Sequence, residues 1–178
     1  MLFDETKLNE KIKKAILDLK FTELTPVQKE AIPYLLNHGE DLIALAQTGT
    51  GKTAAFGLPI IHKINANNKT TQAIILCPTR ELCLQITKDI QSYSKYYKTI
   101  NTTAVYGGAN ISTQINSLKK GSQIIIGTPG RVIDLIKRKV LKLQSIEFVI
   151  LDEADEMLNM GFKEDLDFIL AETPAQKQ

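Results

Sequence analysis

The sequence predicts an α/β domain in which helices cover both faces of a mainly parallel sheet. Short apolar runs are typical of buried parallel strands, and stretches with helical spacing of apolar residues separate them. Beyond residue 70 the runs are Ala73–Cys77, Thr102–Val105, Ile124–Ile126 and Phe148–Leu151. Strands that alternate with helices favour βα units and a parallel sheet. Because such sheets bind ligands at the carboxyl ends of their strands, we expect the functional residues there.

The composition is that of an ordinary globular chain. Its 178 residues are one domain's worth, with 43% hydrophobic and 24% charged residues. The net charge of +2 does not demand a nucleic-acid partner, although a local basic face would still bind one. Cys77 and Cys83 lack zinc-type spacing to either histidine, which favours reduced thiols. Since we find no signal-peptide pattern and no apolar run of membrane-spanning length, we expect a cytoplasmic protein.

Two helices are predicted before the first glycine-rich stretch. Apolar residues recur at helical spacing over Thr6–Leu19, which predicts an amphipathic helix. Thr25 as N-cap, Pro26 at the first helical position and Gln28 at the third then form a capping box for the next helix. That structural role alone explains Gln28. Its carboxamide also suits the N6 and N7 edge of adenine, and both interpretations stay open.

A glycine-rich segment follows at a predicted junction of strand and helix. Leu42–Leu45 is typical of a buried parallel strand, and Thr53–Ile64 has helical spacing. The segment consists of Ala46, Gln47, Thr48, Gly49, Thr50, Gly51, Lys52 and Thr53. Its glycines allow successive backbone N–H groups to point at a polyphosphate.

This spacing predicts a phosphate-binding loop. Lys52 would reach the β- and γ-phosphates of a nucleotide, and the Thr53 hydroxyl would hold Mg²⁺. Ala46 stands where the usual pattern has glycine, which predicts a negative φ at that residue. The alternative is a glycine-rich turn that matches the pattern by chance.

An acidic motif, Asp152-Glu153-Ala154-Asp155, follows the last predicted strand. Carboxylates at the end of a buried strand are costly unless they bind a cation or transfer a proton. Together with the phosphate loop, they predict that Asp152 holds Mg²⁺ through water and that Glu153 orients and deprotonates the attacking water. The alternative is that these acids only cap the next helix, whose amino end is electropositive.

These motifs together resemble the first RecA-like domain of the DEAD-box RNA helicases. The matching residues are Phe21 with Gln28, Ala46–Thr53, Pro78–Leu82, Gly107–Gly108, Thr128–Arg131 and Asp152–Asp155, in the order and spacing of the family. Phe3 and Met160–Phe162 also resemble family positions, whereas Lys20 stands where glycine is usual and Cys83 where alanine is usual. The resemblance covers essentially the whole chain. It implies a three-layer P-loop NTPase domain over residues 1–178, with the family's Q motif near residues 20–28.

The resemblance also implies ATP and Mg²⁺ as cofactors, with Lys52, Asp152 and Glu153 as catalytic residues. Phe21 would stack on adenine, and Gln28 would recognise its edge. The backbone of single-stranded RNA would contact Thr79, Arg80, Gly108, Thr128 and Arg131, independently of base sequence.

Asp155 would couple the nucleotide site to the family's Ser-Ala-Thr motif. That motif and the second RecA-like domain are missing from this chain, so we expect a fragment of a larger helicase whose partners are RNA and that second domain. We expect the fragment to be monomeric and to have no membrane partner.

Three functions are compatible with these motifs. An ATP-dependent RNA helicase leads; the alternatives are a non-catalytic RNA-binding scaffold and a P-loop ATPase that acts on DNA or protein. Intact Lys52, Asp152 and Glu153 disfavour the scaffold, and the resemblance favours RNA. The basic run Arg131–Leu143 either extends an RNA-facing surface or is a solvated helix end.

Overall fold

The structure is a computed structural model that describes residues 1–47 and 49–178. The chain divides into two compact units. The helical unit comprises residues 1–65, 88–98 and 178, and the sheet unit comprises residues 66–87 and 99–177. Helix α4, Arg80–Tyr93, contributes its first half to the sheet unit and its second half to the helical unit.

Three helices build most of the helical unit: α1 (Glu10–Asp18), α2 (Pro26–Asn37) and α3 (Lys52–Lys63). A short 3-10 helix, Phe3–Glu5, precedes them. The helix predicted from Thr6 begins only at Glu10, because Asn9 caps it and accepts a hydrogen bond from the Lys11 amide at 3.0 Å.

The core of the helical unit lies between the apolar faces of these helices. Ile12, Ile16, Ile32, Leu58 and Ile61 are completely buried. Burial of whole apolar side chains is the largest favourable term in folding, at about 1.5 to 3 kcal/mol for each side chain of this size. The helical spacing predicted over Thr6–Leu19 and Thr53–Ile64 therefore identified the buried faces of α1 and α3.

The strand predicted at Leu42–Leu45 is not formed. Leu42, Ile43 and Leu45 are 40%, 91% and 98% exposed, and none of the described strand pairings includes residues 42–45. An apolar run becomes a strand only where neighbouring strands satisfy its backbone groups. Because the described residues provide no such ladder here, this prediction was wrong, although α3 begins within one residue of the predicted helix.

The sheet unit contains four strands in the order β2-β3-β1-β4, and every pair is parallel. The strands are β1 (Ala73–Leu76), β2 (Thr102–Val105), β3 (Ile124–Gly127) and β4 (Phe148–Leu151). Ala73 lies opposite both Ile124 and Phe148, and Ile124 also pairs with Thr102, so the four strands are in step and end at one edge. The predicted α/β class with a parallel sheet is confirmed.

Four further helices belong to the sheet unit: α5 (Ile111–Lys119), α6 (Pro129–Lys137), α7 (Ala154–Asn159) and α8 (Lys163–Ala171). Val132, Met157 and Ile169 from these helices share one buried cluster with Ile74 and Ile125 of the sheet. This packing fixes the loops that follow the strands. No helix of the described residues is long and apolar enough to cross a membrane.

Candidate functional site

The glycine-rich segment enters α3 through two left-handed glycines. Gly49 has φ 81° and Gly51 has φ 89°. Gly51 is the N-cap of α3, and Lys52 is its first residue. The free N–H groups and the positive end of the helix dipole favour an anion at this position. Thr53 follows in the first turn, so the first two residues of α3 carry an ammonium group and a hydroxyl group.

Gln28 links this segment to the start of α2. Its Nε2 donates to the Gly51 carbonyl oxygen at 3.0 Å, and its Oε1 accepts from the Thr25 amide at 3.0 Å. The side chain is only 3% exposed. A Cβ at Gly51 would lie 2.3 Å from Gln28 Nε2, so this position requires glycine both for its backbone angle and for space.

Of the described residues earlier in the glycine-rich segment, Gln47 and Gly49 are exposed, and Ala46 and Thr50 are half-buried. The Thr50 amide and Oγ1 both donate to the Gln47 carbonyl oxygen, at 3.4 and 2.6 Å. Ala46 is not among the residues with positive φ, in agreement with the prediction. Thr48, which the sequence assigns to nucleotide binding, lies outside the described residues.

The acidic motif begins where β4 ends. Asp152 is 9% exposed, and its amide donates to the Leu76 carbonyl oxygen at 2.9 Å. Glu153 is half-buried and left-handed, with φ 54° and ψ 48°, and it is the N-cap of α7. A non-glycine residue in this region costs about 1 to 2 kcal/mol, and such strain concentrates at functional sites. Asp155 is exposed in the first turn of α7.

Two buried thiols lie behind the same edge of the sheet. Cys83 Sγ donates to the Ile126 carbonyl oxygen at 3.3 Å, and Cys77 Sγ is 3.8 Å from the Gly127 carbonyl oxygen. The hydrogen bond with Cys83 and burial raise the pKa of Cys77, so this thiol stays protonated. Both cysteines are free, and no group of three or more His, Cys, Asp or Glu residues in the described chain is arranged to hold a metal.

The five residues assigned to RNA follow three adjacent strands. Thr79 and Arg80 come after β1 and are exposed, and Gly108, with φ 75°, comes after β2 and is exposed. Thr128 is the N-cap of α6 after β3, and Arg131 lies half-buried in the first turn of that helix. The parallel sheet therefore brings all five to its carboxyl edge.

Hydrogen bonds and one ring contact connect these loops. Arg131 Nη1 donates to Gln114 Oε1 at 2.8 Å, and its Nη1 and Nη2 donate to the Ala109 carbonyl oxygen at 3.4 and 3.3 Å. Gln114 Nε2 donates in turn to the Tyr106 carbonyl oxygen at 3.1 Å. The Arg80 guanidinium lies 5.1 Å from the centre of the Tyr106 ring, within range of a cation–π contact.

Comparisons with known proteins agree on one family. The family model for DEAD/DEAH box helicases matches residues 25–178. The chain belongs to this family. It is 54% identical to the ATP-dependent RNA helicase CshA of Listeria monocytogenes over 99% of this chain and 34% of that protein. It is 49% identical to the DEAD-box ATP-dependent RNA helicase CshA of Streptococcus pneumoniae over 100% of this chain and 34% of that protein.

A solved structure supports the same assignment. The crystal structure of a DEAD box protein from Methanococcus jannaschii matches with a TM-score of 0.94 and 44% identity, over all of this chain and 48% of that one. This confirms the predicted RecA-like α/β fold of a DEAD-box domain. The chain spans about a third of the length of the CshA relatives.

In this DEAD/DEAH box chain, Lys20 occupies a position where the backbone conformation favours glycine. It has φ 61°, in the left-handed region where glycine is favoured. The next residue, Phe21, is 42% exposed, and its amide donates to the Ile16 carbonyl oxygen at 3.1 Å. The left-handed residue thus turns the chain out of α1 and presents the Phe21 ring to solvent.

The basic run of this DEAD/DEAH box chain resembles a solvated helix end. Arg138 Nε donates to Asp134 Oδ1 at 2.7 Å, one turn earlier in α6. Lys137 lies 5.6 Å from the centre of the Phe168 ring. These contacts favour the structural interpretation of the run.

The sequence analysis did not identify Gln114 and Tyr106 as residues that contact Arg131 and Arg80. A signal for Gln114 was present, because it falls on the face of α5 that also carries Ile111, Ile115 and Leu118 and is only 6% exposed. A polar residue at an apolar position of an amphipathic helix needs a buried partner. Tyr106 offered no comparable signal.

Proposed function

We propose that residues 1–178 are the N-terminal ATP-binding domain of an ATP-dependent RNA helicase. The domain binds ATP with Mg²⁺ and the backbone of single-stranded RNA, and a second RecA-like domain in a longer protein completes the enzyme. The observation that carries the proposal is Gly51, which opens α3 in a left-handed conformation and is held by Gln28 with Lys52 directly after it. The names of the relatives, ATP-dependent RNA helicases, support the same function.

The nucleotide is held by residues of the helical unit. The exposed ring of Phe21 stacks on adenine. Gln28 uses one N–H and one oxygen lone pair for its internal bonds, which leaves one donor and one acceptor for the adenine edge. The phosphates are assigned to Ala46, Gln47, Thr48, Gly49, Thr50, Gly51, Lys52 and Thr53.

The two residues assigned to the metal site carry oxygen ligands that suit Mg²⁺. The Thr53 hydroxyl and the Asp152 carboxylate are hard ligands of the kind that Mg²⁺ prefers, with water in its other positions. When bound, Mg²⁺ neutralises charge on the phosphates. Glu153 orients the attacking water and accepts its proton. Asp155 couples this chemistry to other parts of the longer protein.

RNA is held by Thr79, Arg80, Gly108, Thr128 and Arg131. Backbone N–H groups, hydroxyls and guanidinium groups at one sheet edge suit phosphates and 2′-hydroxyls, which carry no sequence information. Binding is therefore independent of sequence and sensitive to salt. We place the protein in the cytoplasm, where buried free thiols such as Cys77 and Cys83 stay reduced.

Calorimetric titration of the chain with ADP and with GDP tests the nucleotide assignment. ADP should bind more tightly by about 1 to 3 kcal/mol, because the guanine edge leaves buried groups unpaired. Lys52→Ala should weaken ADP binding, whereas Lys29→Ala, which removes an exposed lysine of α2, should not. Equal affinity for the two nucleotides would contradict adenine recognition, and no affinity for either would contradict the proposal.

A further inference from the structure

We propose that Gln114 is a positioning residue for RNA binding, which holds Arg131 and the glycine turn after β2 in a fixed arrangement through one carboxamide. The glycine turn is Tyr106–Ala109, with Gly107 and Gly108 at its exposed tip. The inference rests on the RNA-binding role proposed above for this sheet edge. It assigns a role to a buried residue that would not itself contact RNA.

The two bonds of Gln114 fix the orientation of its side chain. Arg131 can only donate a hydrogen bond, and the Tyr106 carbonyl oxygen can only accept one. The carboxamide satisfies both, since Oε1 accepts from Arg131 Nη1 at 2.8 Å and Nε2 donates to Tyr106 O at 3.1 Å. Because the side chain is 6% exposed, water does not readily replace either bond.

The same network holds both sides of the glycine turn. Gln114 binds the carbonyl oxygen of Tyr106, before the glycines, and Arg131 binds that of Ala109, after them. Gly108 has φ 75°. A glycine that its neighbours do not hold would adopt many other backbone conformations as well. With both flanking carbonyl groups bound, the exposed backbone between them is ordered before RNA arrives.

Arg131 keeps donors for a phosphate. Its described bonds use both N–H groups of Nη1 and one of Nη2, and the described residues give no partner to Nε–H or to the second Nη2 hydrogen. Gln114 thus fixes the plane of a guanidinium group that is only half-buried. A group that is ordered in advance loses less side-chain entropy when it binds.

Tyr106 extends the network to a further loop. Its ring lies under the Arg80 guanidinium, 5.1 Å from ring centre to Cζ, and its carbonyl oxygen is bound by Gln114. A Cβ at Gly108 would lie 3.8 Å from Arg80 Nη1. The Gln114 carboxamide therefore connects the loops after β2 and β3, and the contact between Arg80 and the Tyr106 ring adds the loop after β1.

Fluorescence anisotropy with a labelled single-stranded oligouridylate, measured over a series of KCl concentrations, tests the proposal. Gln114→Met keeps the approximate shape of the side chain and removes both bonds. It should weaken RNA binding about tenfold. It should also lower the slope of log affinity against log salt by about 0.7, equivalent to one lost phosphate contact, although no charge is removed. Affinity for ADP should stay unchanged.

Two further variants make the result specific. Gln144→Met is the matched control, because Gln144 is exposed and precedes β4 at the opposite edge of the sheet; RNA affinity should not change. Gln114→Glu keeps an oxygen towards Arg131 but places a second oxygen against Tyr106 O, so it should lose less affinity than Gln114→Met. If Gln114→Met does not fold, the Glu variant must still weaken RNA binding for the proposal to stand.

Combination with Arg131→Met separates positioning from general stability. The double variant should lose less RNA affinity than the sum of the two single losses, because Gln114 and Arg131 hold the same glycine turn and Gln114 also positions Arg131. Independent, additive losses would overturn the proposal, as would a Gln114→Met chain that is less stable but has wild-type RNA affinity and salt slope. If Arg80→Met and Arg131→Met also leave RNA affinity unchanged, the proposed RNA-binding edge itself is wrong, and this inference falls with it.

Discussion

Gln28 and Gly51 are joined by a hydrogen bond of 3.0 Å from the side-chain Nε2 to the backbone carbonyl oxygen. This bond connects the first turn of α2 to the N-cap of α3. The capping-box glutamine therefore also holds the end of the glycine-rich segment. One carboxamide thus serves both the helix cap and the glycine-rich segment, and its recognition of adenine stays a proposal.

Replacement of this glutamine should affect both stability and nucleotide binding. Gln28→Ala removes two hydrogen bonds from a buried site and leaves the Gly51 carbonyl oxygen without that partner, so the free energy of unfolding should fall by about 2 kcal/mol. ADP affinity should also fall, because the start of α3 is no longer held. Urea unfolding and calorimetric titration measure the two effects, with exposed Gln144→Ala as the control. A change in stability without a change in affinity would restrict Gln28 to the cap.

Gly51→Ala should be among the most damaging single substitutions in the helical unit. The new Cβ would meet Gln28 Nε2 at 2.3 Å, at a residue whose φ is 89°. Strain and collision together should cost about 2 to 4 kcal/mol. Gly39→Ala is the matched control, because a Cβ there meets no atom within 4 Å and φ is not in the left-handed region. Equal unfolding midpoints for the two variants in urea would contradict this account.

Lys20→Gly should stabilise the protein. Glycine removes the left-handed strain of Lys20 but adds backbone entropy to the unfolded chain, so the expected gain is up to about 1 kcal/mol. The same change at Lys29, inside α2, should instead cost about 1 kcal/mol. Chemical unfolding of both variants checks the prediction. A Lys20→Gly chain less stable than wild type would show that the lysine side chain contributes more than the strain removes.

His62 should make stability depend on pH. Burial and the neighbouring Lys63 lower the pKa of His62 from its ordinary value of 6.5, and its Nδ1 accepts a hydrogen bond from the Asn9 amide at 3.1 Å. Because the folded state binds the proton less readily than the unfolded state, this contribution is fully present above pH 6.5 and is lost as the pH falls below that value.

His62→Asn isolates this contribution. Asparagine keeps an acceptor close to the Nδ1 position and does not titrate, so the fall in stability between about pH 7.5 and about pH 5.5 should be smaller than in wild type. Thermal unfolding over that pH range measures the difference. Identical pH profiles for the two proteins would exclude His62 as the titrating group.

Sequence reasoning succeeded where local pattern and tertiary structure agree. The central strands β1 and β3 are buried on both faces, so their apolar runs identify them directly, and the parallel order of the sheet places Thr79, Gly108 and Thr128 at one edge. Pro26 and Gln28 specify the start of α2 through capping alone. These features depend on few distant residues.

The errors and omissions concern long-range partners. Leu42–Leu45 has the composition of a strand, yet a strand requires neighbours that a single run does not reveal. The bond from Gln28 to Gly51 crosses 23 residues, and that from Arg131 to Gln114 crosses 17. Such pairs depend on the fold and are not visible in local sequence.

ATP hydrolysis that RNA stimulates is the property that tests the proposed function most directly. Phosphate release should be measured with and without RNA, for a longer protein that carries this chain and a second RecA-like domain, and for its Glu153→Gln variant. The wild-type protein should hydrolyse ATP faster with RNA, and the variant should bind ATP but lose turnover, because the amide cannot accept the proton of the attacking water. The 178-residue chain alone should show little turnover, because the family resemblance implies that the second RecA-like domain supplies arginine fingers, and such groups raise related rates by about 10³ to 10⁵. Wild-type turnover by the Glu153→Gln variant, or hydrolysis that RNA does not stimulate, would contradict the proposed function.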